Sequence, residues 1–133
     1  MVDFRFKTEK SEIEKIREVL PRSYPVKPER GRIFGALASF AEWRVAKALW
    51  YLDLDFYYRW RVPNTIYIID FLILMDTLIP VDVKNWEHIF ETSEHRLRTR
   101  TIEMKLETKL NIIWDVDVLT MNMAVSAVRS LMR

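Results

Sequence analysis

The chain has 133 residues, half of them hydrophobic, which is enough for one domain with a buried core and excludes a disordered composition. Its formal net charge of +2 is too small to indicate nucleic-acid binding by itself, so such a surface has to come from local patches. The absence of cysteine excludes disulfides and thiolate metal sites, and two histidines make a histidine-based zinc site unfavourable. No stretch approaches 18 uncharged residues and no signal-peptide pattern opens the chain, so we expect a soluble, cytoplasmic protein with no membrane partner.

The first 33 residues predict a short helix followed by a basic connector. Residues 11–20 open with a capping-box pattern, and a proline follows them directly. Residues 21–32 then hold three prolines and four basic residues against one glutamate. This composition fits a solvated linker at least as well as an arm that contacts phosphates.

Residues 34–52 predict the strongest helix, because small and apolar residues recur at helical spacing. The apolar stripe contains Ala38, Val45 and Leu49. Glu42 falls inside this stripe, and an acid on an apolar helix face is a local conflict that tends to mark function. Two interpretations stay open: Glu42 pairs with Lys47 or Arg44 at the stripe edge, or it faces the sheet as a metal ligand.

The middle of the chain predicts three strands, at 56–62, 66–74 and 79–86. Alternation in the first strand places Phe56, Tyr58, Trp60 and Val62 on one face and Tyr57, Arg59 and Arg61 on the other. We expect the large aromatic residues in the core, namely Phe56, Trp60, Trp43, Trp50 and Trp114.

Charged residues interrupt the second and third strands. Asp70 stands in a run of isoleucine, tyrosine, phenylalanine and leucine, and Asp82 and Lys84 are separated by a single valine. A buried charge is costly unless it is paired or bound to a metal. These three residues are therefore the first candidates for a functional site, and alternation directs Asp82 and Lys84 to one face.

The loop between these two strands decides where the acids point. A three-residue loop at 75–77 pairs Leu74 with Leu78 and brings Asp70 opposite Asp82 on the same face, whereas a four-residue loop without a bulge separates them. Opposite carboxylates about 5 Å apart repel each other, and a divalent cation between them reverses that penalty. An oxygen-only ligand set suits Mg²⁺ or Mn²⁺.

Residues 94–109 carry conflicting signals, since residues 96–101 alternate as a strand does, whereas the apolar residues further on have helical spacing. We expect a helix here, capped by Thr92 or Ser93, with Arg98 on its exposed face.

A strand at 111–119 and an amphipathic helix at 120–131 complete the chain. Asp115 and Asp117 alternate in that strand, either as a solvated face or as substitute acids if the hairpin does not supply the site.

The resulting order of helix, three strands, helix, strand and helix predicts an α/β sandwich with a mixed sheet in one domain covering residues 1–133. This order, together with an acid on one strand and acid-x-Lys on the next, resembles the PD-(D/E)xK nuclease superfamily. The resemblance covers a restriction-endonuclease-like αβββαβ core at 34–119, with an N-terminal helix and connector at 1–33 and a C-terminal helix at 120–133. Ile69 stands where the literal motif has proline.

The resemblance implies a Mg²⁺-dependent (or Mn²⁺-dependent) endodeoxyribonuclease, nearest in style to archaeal Holliday-junction resolvases and small viral or plasmid nucleases. Asp70, Asp82 and Glu42 would hold the metal together with the Val83 backbone carbonyl. Lys84 would orient or deprotonate the attacking water and stabilise the transition state. Such relatives commonly form homodimers and act on branched DNA in recombination or repair.

The basic residues considered for DNA phosphates are Arg96, Arg100, Arg59, Lys105 and Lys109, each of which also fits a plain solvated charge. His95 is expected at the surface and His88 near the end of the hairpin. Two other functions stay open. One is a nuclease fold that binds DNA or protein without cleaving. The other is an unrelated α/β interaction protein in which Asp70 caps a bulge or pairs with Lys84.

Overall fold

The computed structural model describes residues 32–33, 36–88 and 92–132. The predicted helix at 11–20 and nearly all of the basic connector lie outside these residues. Within them the regular elements are β1 (Arg32–Ile33), β2 (Ala36–Leu37), α1 (Phe40–Tyr51), β3 (Asp55–Arg61), β4 (Ile68–Leu74), β5 (Leu78–Lys84), α2 (Ser93–Leu106), β6 (Asn111–Trp114) and α3 (Met121–Ser130). No helix in this part of the chain is long and apolar enough to cross a membrane.

Four strands form one mixed sheet in the order β3-β4-β5-β6. The first three are antiparallel neighbours, and β6 joins β5 in parallel after the crossover through α2. Strands β1 and β2 form a separate two-stranded hairpin. In the described residues the chain is thus α/β with a mixed sheet and three helices, and the predicted order from the first core helix onward is confirmed.

Helices cover both faces of the sheet. On one face α1 and α3 pack with the sheet, and the core there includes Leu49, Val128 and Phe71. On the other face α2 packs through Ile102 against residues such as Leu72 of β4. Because both faces are covered, the central strands are apolar on both sides and not on one side only. A charged side chain in β4 or β5 therefore reaches water only near the strand ends.

Helix α1 begins at Phe40 and not at residue 34 as predicted. The Ser39 hydroxyl oxygen accepts the N–H of Glu42, and the Glu42 carboxylate accepts the N–H of Ser39, which makes a capping box. The residues at 36–37 pair with β1 instead of entering the helix. This reciprocal cap outweighs the helical propensity of the alanines ahead of it.

The last predicted strand is also shorter than expected, since it ends at Trp114. Asp115 begins a 3₁₀ turn that runs to Asp117, and its Oδ1 accepts the N–H groups of Val116 and Trp86. A side chain that bonds the following main-chain N–H offers the backbone an alternative to the ladder. Both predicted helices, at 94–109 and 120–131, are present, with Thr92 and Thr120 as their N-caps, but α2 ends at Leu106 because Glu107 adopts a left-handed conformation.

Strand β3 changes faces at Arg59, contrary to the predicted alternation. Phe56 and Tyr58 pack on the α1 side, but Trp60 packs on the α2 side. Arg59 has φ 52, a left-handed conformation that is uncommon for a residue with a Cβ, and it reverses the direction of the side chains that follow. The neighbouring strand β4 has a matching break in its alternation.

The same break appears in β4, at Asp70. Ile69 packs on the α2 side and Phe71 on the α1 side, although regular alternation puts residues two apart on one face. The strands stay in register, with Tyr58 opposite Phe71 and Trp60 opposite Ile69. Asp70 therefore occupies the position at which the alternation of β4 is reset.

Candidate active site

A cleft of about 480 Å³ opens where the beginning of α1 meets the ends of β4 and β5 and the turn after β6. Its charged lining residues are Glu42, Asp70 and Asp115, together with Arg44 and Lys84. The structure thus brings Glu42, Asp70 and Lys84 together, as the sequence predicted, and adds Asp115. It does not bring Asp82 into the cleft.

The hairpin register is as predicted. The turn at 75–77 pairs Leu74 with Leu78, and the ladder continues to Phe71 opposite Val81. Beyond that pair, backbone N–H groups of the two strands donate to aspartate carboxylates and not to the carbonyls of the opposite strand. The Asp70 N–H donates to Asp82 Oδ1 at 3.1 Å, and the Val83 N–H donates to Asp70 Oδ2 at 2.8 Å.

Asp82 nevertheless points away from the cleft, contrary to the expected shared face. It is 3% exposed, and its Oδ2 lies 2.6 Å from Arg98 Nη1 on the α2 side. Strand β5 keeps its alternation, with Val81 and Val83 on the α1 side, so Asp82 faces α2. The break in alternation changes the direction of Asp70 but not that of Asp82. The two carboxylates therefore point to opposite faces of the sheet, although the register is the predicted one.

The pKa of Asp70 is raised to about 6, first by burial and then by the nearby charges of Asp82 and Glu42, against the lowering effects of the Val83 N–H and Arg98. An acid that is half-protonated near pH 6 is held in a field that disfavours its negative charge. Such perturbed groups are concentrated at functional sites, where a cation or a proton completes the environment. Asp70 is the strongest candidate in the cleft for this reason.

Glu42 is held by contacts that the sequence did not predict. One oxygen belongs to the helix cap, and Oε2 accepts the Tyr58 hydroxyl at 3.0 Å. Burial, followed by the charge of Glu42, raises the pKa of Tyr58 to about 12, so Tyr58 remains a donor at neutral pH. The proposed partners lie elsewhere: Lys47 Nζ is 4.5 Å from the Trp43 ring centroid, and Arg44 donates to a backbone carbonyl.

Replacing Glu42 with alanine is expected to lower the free energy of unfolding by about 1 kcal/mol, because the cap of α1 loses one of its two side-chain bonds. Glutamine at this position keeps one oxygen to accept the Ser39 N–H and places its NH2 group beside the Tyr58 hydroxyl, whose oxygen can accept, so this variant should stay within about 0.5 kcal/mol of the wild type. Urea unfolding followed by circular dichroism measures both. Glu94→Ala, in the exposed first turn of α2, is the matched control, and an equal loss there would count against a capping role.

Lys84 and Val83 border the cleft beside Asp70. No hydrogen-bond or ion-pair partner of Lys84 Nζ is found among the residues that the structure describes. In an extended strand the N–H and C=O of one residue point to the same edge. Because the Val83 N–H reaches Asp70, the Val83 carbonyl is directed to the same gap between β4 and β5.

The two substitute acids, Asp115 and Asp117, differ in their position relative to the cleft. Asp115 lines the cleft, and its Oδ1 is fixed by two main-chain N–H groups. Asp117 is exposed and lies outside the cleft lining. Asp115 was a reserve candidate only, because alternation in a presumed strand gave no reason to prefer it over Asp117.

The predicted DNA contacts do not converge on the cleft. Arg96 and Arg100 are exposed on α2, and Lys105 also lies on this helix, across the sheet from α1. Arg59 is exposed at the break in β3, and Lys109 is exposed just before β6. The exposed position of His95 is confirmed, while the side chain of His88 lies outside the described residues. Trp50, predicted as core, is exposed.

Sequence reasoning missed Arg98. It was assigned to an exposed helical face, but its guanidinium reaches Asp82 and donates through Nη2 to the Ile68 carbonyl at 2.6 Å. One signal was available: Arg98 precedes the buried Ile102 by four residues and so lies on the same face of α2. Arg98 joins β4 and β5 at the point where their ladder has ended.

A divalent metal fits the donors of this cleft only in part. Within the described residues no group of three or more histidine, aspartate or glutamate side chains is placed to hold a metal ion. Mg²⁺, however, is commonly held by one or two carboxylates, with water and substrate phosphate filling the other positions. Asp70, with Glu42 nearby, meets that smaller requirement.

Comparisons of the chain with models of protein families, with curated proteins and with solved structures find no match. The resemblance to the nuclease superfamily therefore depends on the residues and their order. What the geometry adds is a cleft in which an acid of raised pKa, a second acid and a lysine come together.

Proposed function

We propose that the chain is a metal-dependent endodeoxyribonuclease of the PD-(D/E)xK type that hydrolyses phosphodiester bonds, with branched or junction DNA as the preferred substrate. The observation that carries the proposal is Asp70, partly buried in the cleft beside Glu42 and Lys84, with its pKa raised to about 6. A carboxylate in that environment gains most from a bound cation.

In the proposed mechanism Asp70 would hold Mg²⁺ or Mn²⁺, with Glu42 and the Val83 carbonyl as further oxygen donors. When bound, such a metal would lower the pKa of a water and neutralise charge on the phosphate. Lys84 donates to the phosphate oxygens as negative charge builds up on them. Asp82 supports this arrangement by accepting the Asp70 N–H. Direct ligation by Asp82, which the resemblance implies, requires its carboxylate to turn away from Arg98.

A second candidate function is a nuclease fold that binds DNA or a protein without cleaving. The pairing of Asp82 with Arg98 favours it, because one acid of the motif is already neutralised by the protein. This candidate keeps the fold and expects binding with no metal-dependent cutting. For either function, the resemblance suggests a homodimer, and light scattering of the purified chain tests the oligomeric state.

Lys84→Ala is expected to lower the rate of DNA cleavage by about a hundred-fold, since a cation next to the reacting phosphate is removed. The purified chain is incubated with linear duplex, flapped and four-way DNA in Mg²⁺, Mn²⁺, Ca²⁺ or EDTA, and the products are separated on denaturing gels. Lys109→Ala removes an exposed lysine outside the cleft and should cut at the wild-type rate.

Three results are decisive for these two functions. Cutting that needs Mg²⁺ or Mn²⁺ and is lost in Lys84→Ala supports the nuclease. Tight DNA binding without cutting under any condition selects the inactive binding fold. Equal cutting by wild type and Lys84→Ala would show that the cleft is not the active site.

A further inference from the structure

A second cavity, of about 570 Å³, lies between α1 and α3. Lys47, Trp50 and Tyr51 line it from the last turns of α1, and Asn122, Ser126 and Arg129 line it from α3. No aspartate or glutamate is among its described lining residues, although the chain has 19 acids. We call this cavity the α1–α3 groove.

Two large aromatic side chains border the groove and remain in contact with solvent. Tyr51 is 67% exposed and Trp50 is 36% exposed, whereas the preceding Leu49 is fully buried against the sheet. The stripe that packs α1 onto the sheet thus ends before these two residues. Tyrosine and tryptophan are enriched at binding surfaces, and here two of them stand side by side at one groove.

The charges of the groove favour an anion. Lys47 is held over the ring of Trp43, with Nζ 4.5 Å from the ring centroid, and Arg129 is exposed in the last turn of α3. Asn122 and Ser126 add neutral polar groups to the lining of the groove. A basic groove with aromatic platforms is the arrangement by which proteins bind single-stranded nucleic acid, because cations meet the phosphates and the rings stack on bases.

The groove and the active-site cleft lie along the same helix. Phe40 and Glu42 line the cleft in the first turn of α1, and Trp50 and Tyr51 line the groove in the last. The helix rise puts Phe40 and Tyr51 about 16 Å apart along the axis. That distance matches about five nucleotides of a stacked strand.

We propose that the α1–α3 groove binds a single-stranded stretch of the DNA whose phosphodiester lies in the cleft. This inference rests on the proposed nuclease function and specifies its substrate: DNA with an unpaired strand next to the cutting point. A continuous duplex keeps its bases stacked inside, where Trp50 and Tyr51 do not reach them. An acidic peptide offers the charge but no bases to stack.

The test measures binding of the full chain to a fluorescein-labelled 12-nucleotide oligothymidylate by anisotropy, in EDTA and over a series of salt concentrations. The double variant Lys47→Ala/Arg129→Ala is expected to bind about ten-fold more weakly and to lower the salt slope by about 1.4, at about 0.7 per lost phosphate contact. Tyr51→Ala should lose about five-fold or more, since a stacking platform is removed. The control, Arg61→Ala, removes a positive charge from an exposed residue of β3 that lines neither the groove nor the cleft, and it should stay within about two-fold.

The competing explanations have separate signatures. A loss in Arg61→Ala as large as that in the groove variants overturns the proposal in favour of non-specific charge attraction. Equal affinity for a blunt duplex, with the same losses in the groove variants, does so too. A poly-glutamate peptide that binds the groove more tightly than the oligonucleotide overturns it in favour of a protein partner. No binding by the wild type, or unchanged binding by the groove variants, also overturns it.

Because binding is measured without metal, the two proposals can fail separately. A chain that binds single strands through the groove but never cuts DNA overturns the nuclease and leaves the groove as a single-strand site. A chain that cuts in Mg²⁺ while its groove variants bind and cut flapped DNA as the wild type does overturns the groove alone.

Discussion

Asp70→Asn is expected to lower metal-dependent cleavage by about a thousand-fold and, in EDTA at pH 7.5, to raise the free energy of unfolding by about 1–2 kcal/mol. The two effects have one cause. Asparagine keeps an oxygen that accepts the Val83 N–H, but it removes a negative charge that is partly buried beside Asp82 and Glu42. A residue retained at a cost in stability is typical of an active site.

The stability difference at Asp70 should depend on pH with a definite sign. Its pKa is about 6 in the folded protein, above the ordinary aspartate value of about 3.9 in the unfolded chain. The folded state therefore prefers the protonated carboxyl. The favourable contribution is fully present below about pH 4 and is lost as the pH rises through about 6. The advantage of Asp70→Asn should accordingly be absent near pH 4, grow between about pH 4 and pH 6, and stay constant above that.

Urea unfolding in EDTA at pH 4, 5, 6 and 7.5 measures this difference, with Asp117→Asn as the exposed control. Adding Mg²⁺ should stabilise the wild type and leave Asp70→Asn unchanged, since a ligand stabilises only the state that binds it. If Asp70→Asn is less stable than the wild type at pH 7.5, the carboxylate has an ordinary structural role and the site assignment fails.

Arg98→Met is expected to lower the free energy of unfolding by about 3 kcal/mol, because it leaves the Asp82 carboxylate buried without its cation. The Asp82 side chain is 5% exposed and that of Arg98 is 23% exposed, so water compensates little for the lost pair. The Ile68 carbonyl loses its bond to Arg98 at the same time. The magnitude exceeds that of a surface ion pair for these reasons.

A second substitution isolates the buried charge. Arg98→Met/Asp82→Asn should recover most of the loss, because asparagine still accepts the Asp70 N–H through its side-chain oxygen and carries no charge. Arg96→Met, an exposed arginine on the same helix, should change the free energy of unfolding by less than about 0.5 kcal/mol. If Arg98→Met has an effect as small as Arg96→Met, the ion pair is not what stabilises this end of the hairpin.

The sequence predicted the register of the β4–β5 hairpin but not the direction of the Asp70 side chain. The three-residue loop predicted that Leu74 pairs with Leu78, and this register is observed, because local turn geometry sets it. The direction of Asp70 was not predictable by the same rule. It depends on Arg59, a non-glycine residue in a left-handed conformation on the neighbouring strand, and alternation rules assume that no such residue intervenes.

For the rest of the candidate site, Glu42 and Lys84 were placed correctly from the sequence, and Asp115 and the arginines of α2 were not. Glu42 and Lys84 meet Asp70 in the cleft because regular elements carry them there, and residue spacing is informative within such elements. Asp115 enters from a 3₁₀ turn that was predicted as strand. The arginines of α2 were expected near DNA, yet the crossover from β5 to β6 places this helix on the sheet face opposite α1.

The exchange of ladder bonds for carboxylate bonds at the open end of the hairpin gives two backbone amides an unusual property. The Asp70 N–H donates to a carboxylate oxygen of Asp82, and the Val83 N–H donates to a carboxylate oxygen of Asp70. In these two bonds side-chain oxygens take the place of the backbone carbonyls of a regular ladder. The hydrogen-exchange rates of these two amides therefore respond to the occupancy and orientation of the two acids, while amides further along β4 and β5 respond to opening of the strands. Two NMR signals are enough to follow what binds at the carboxylates without observing any reaction.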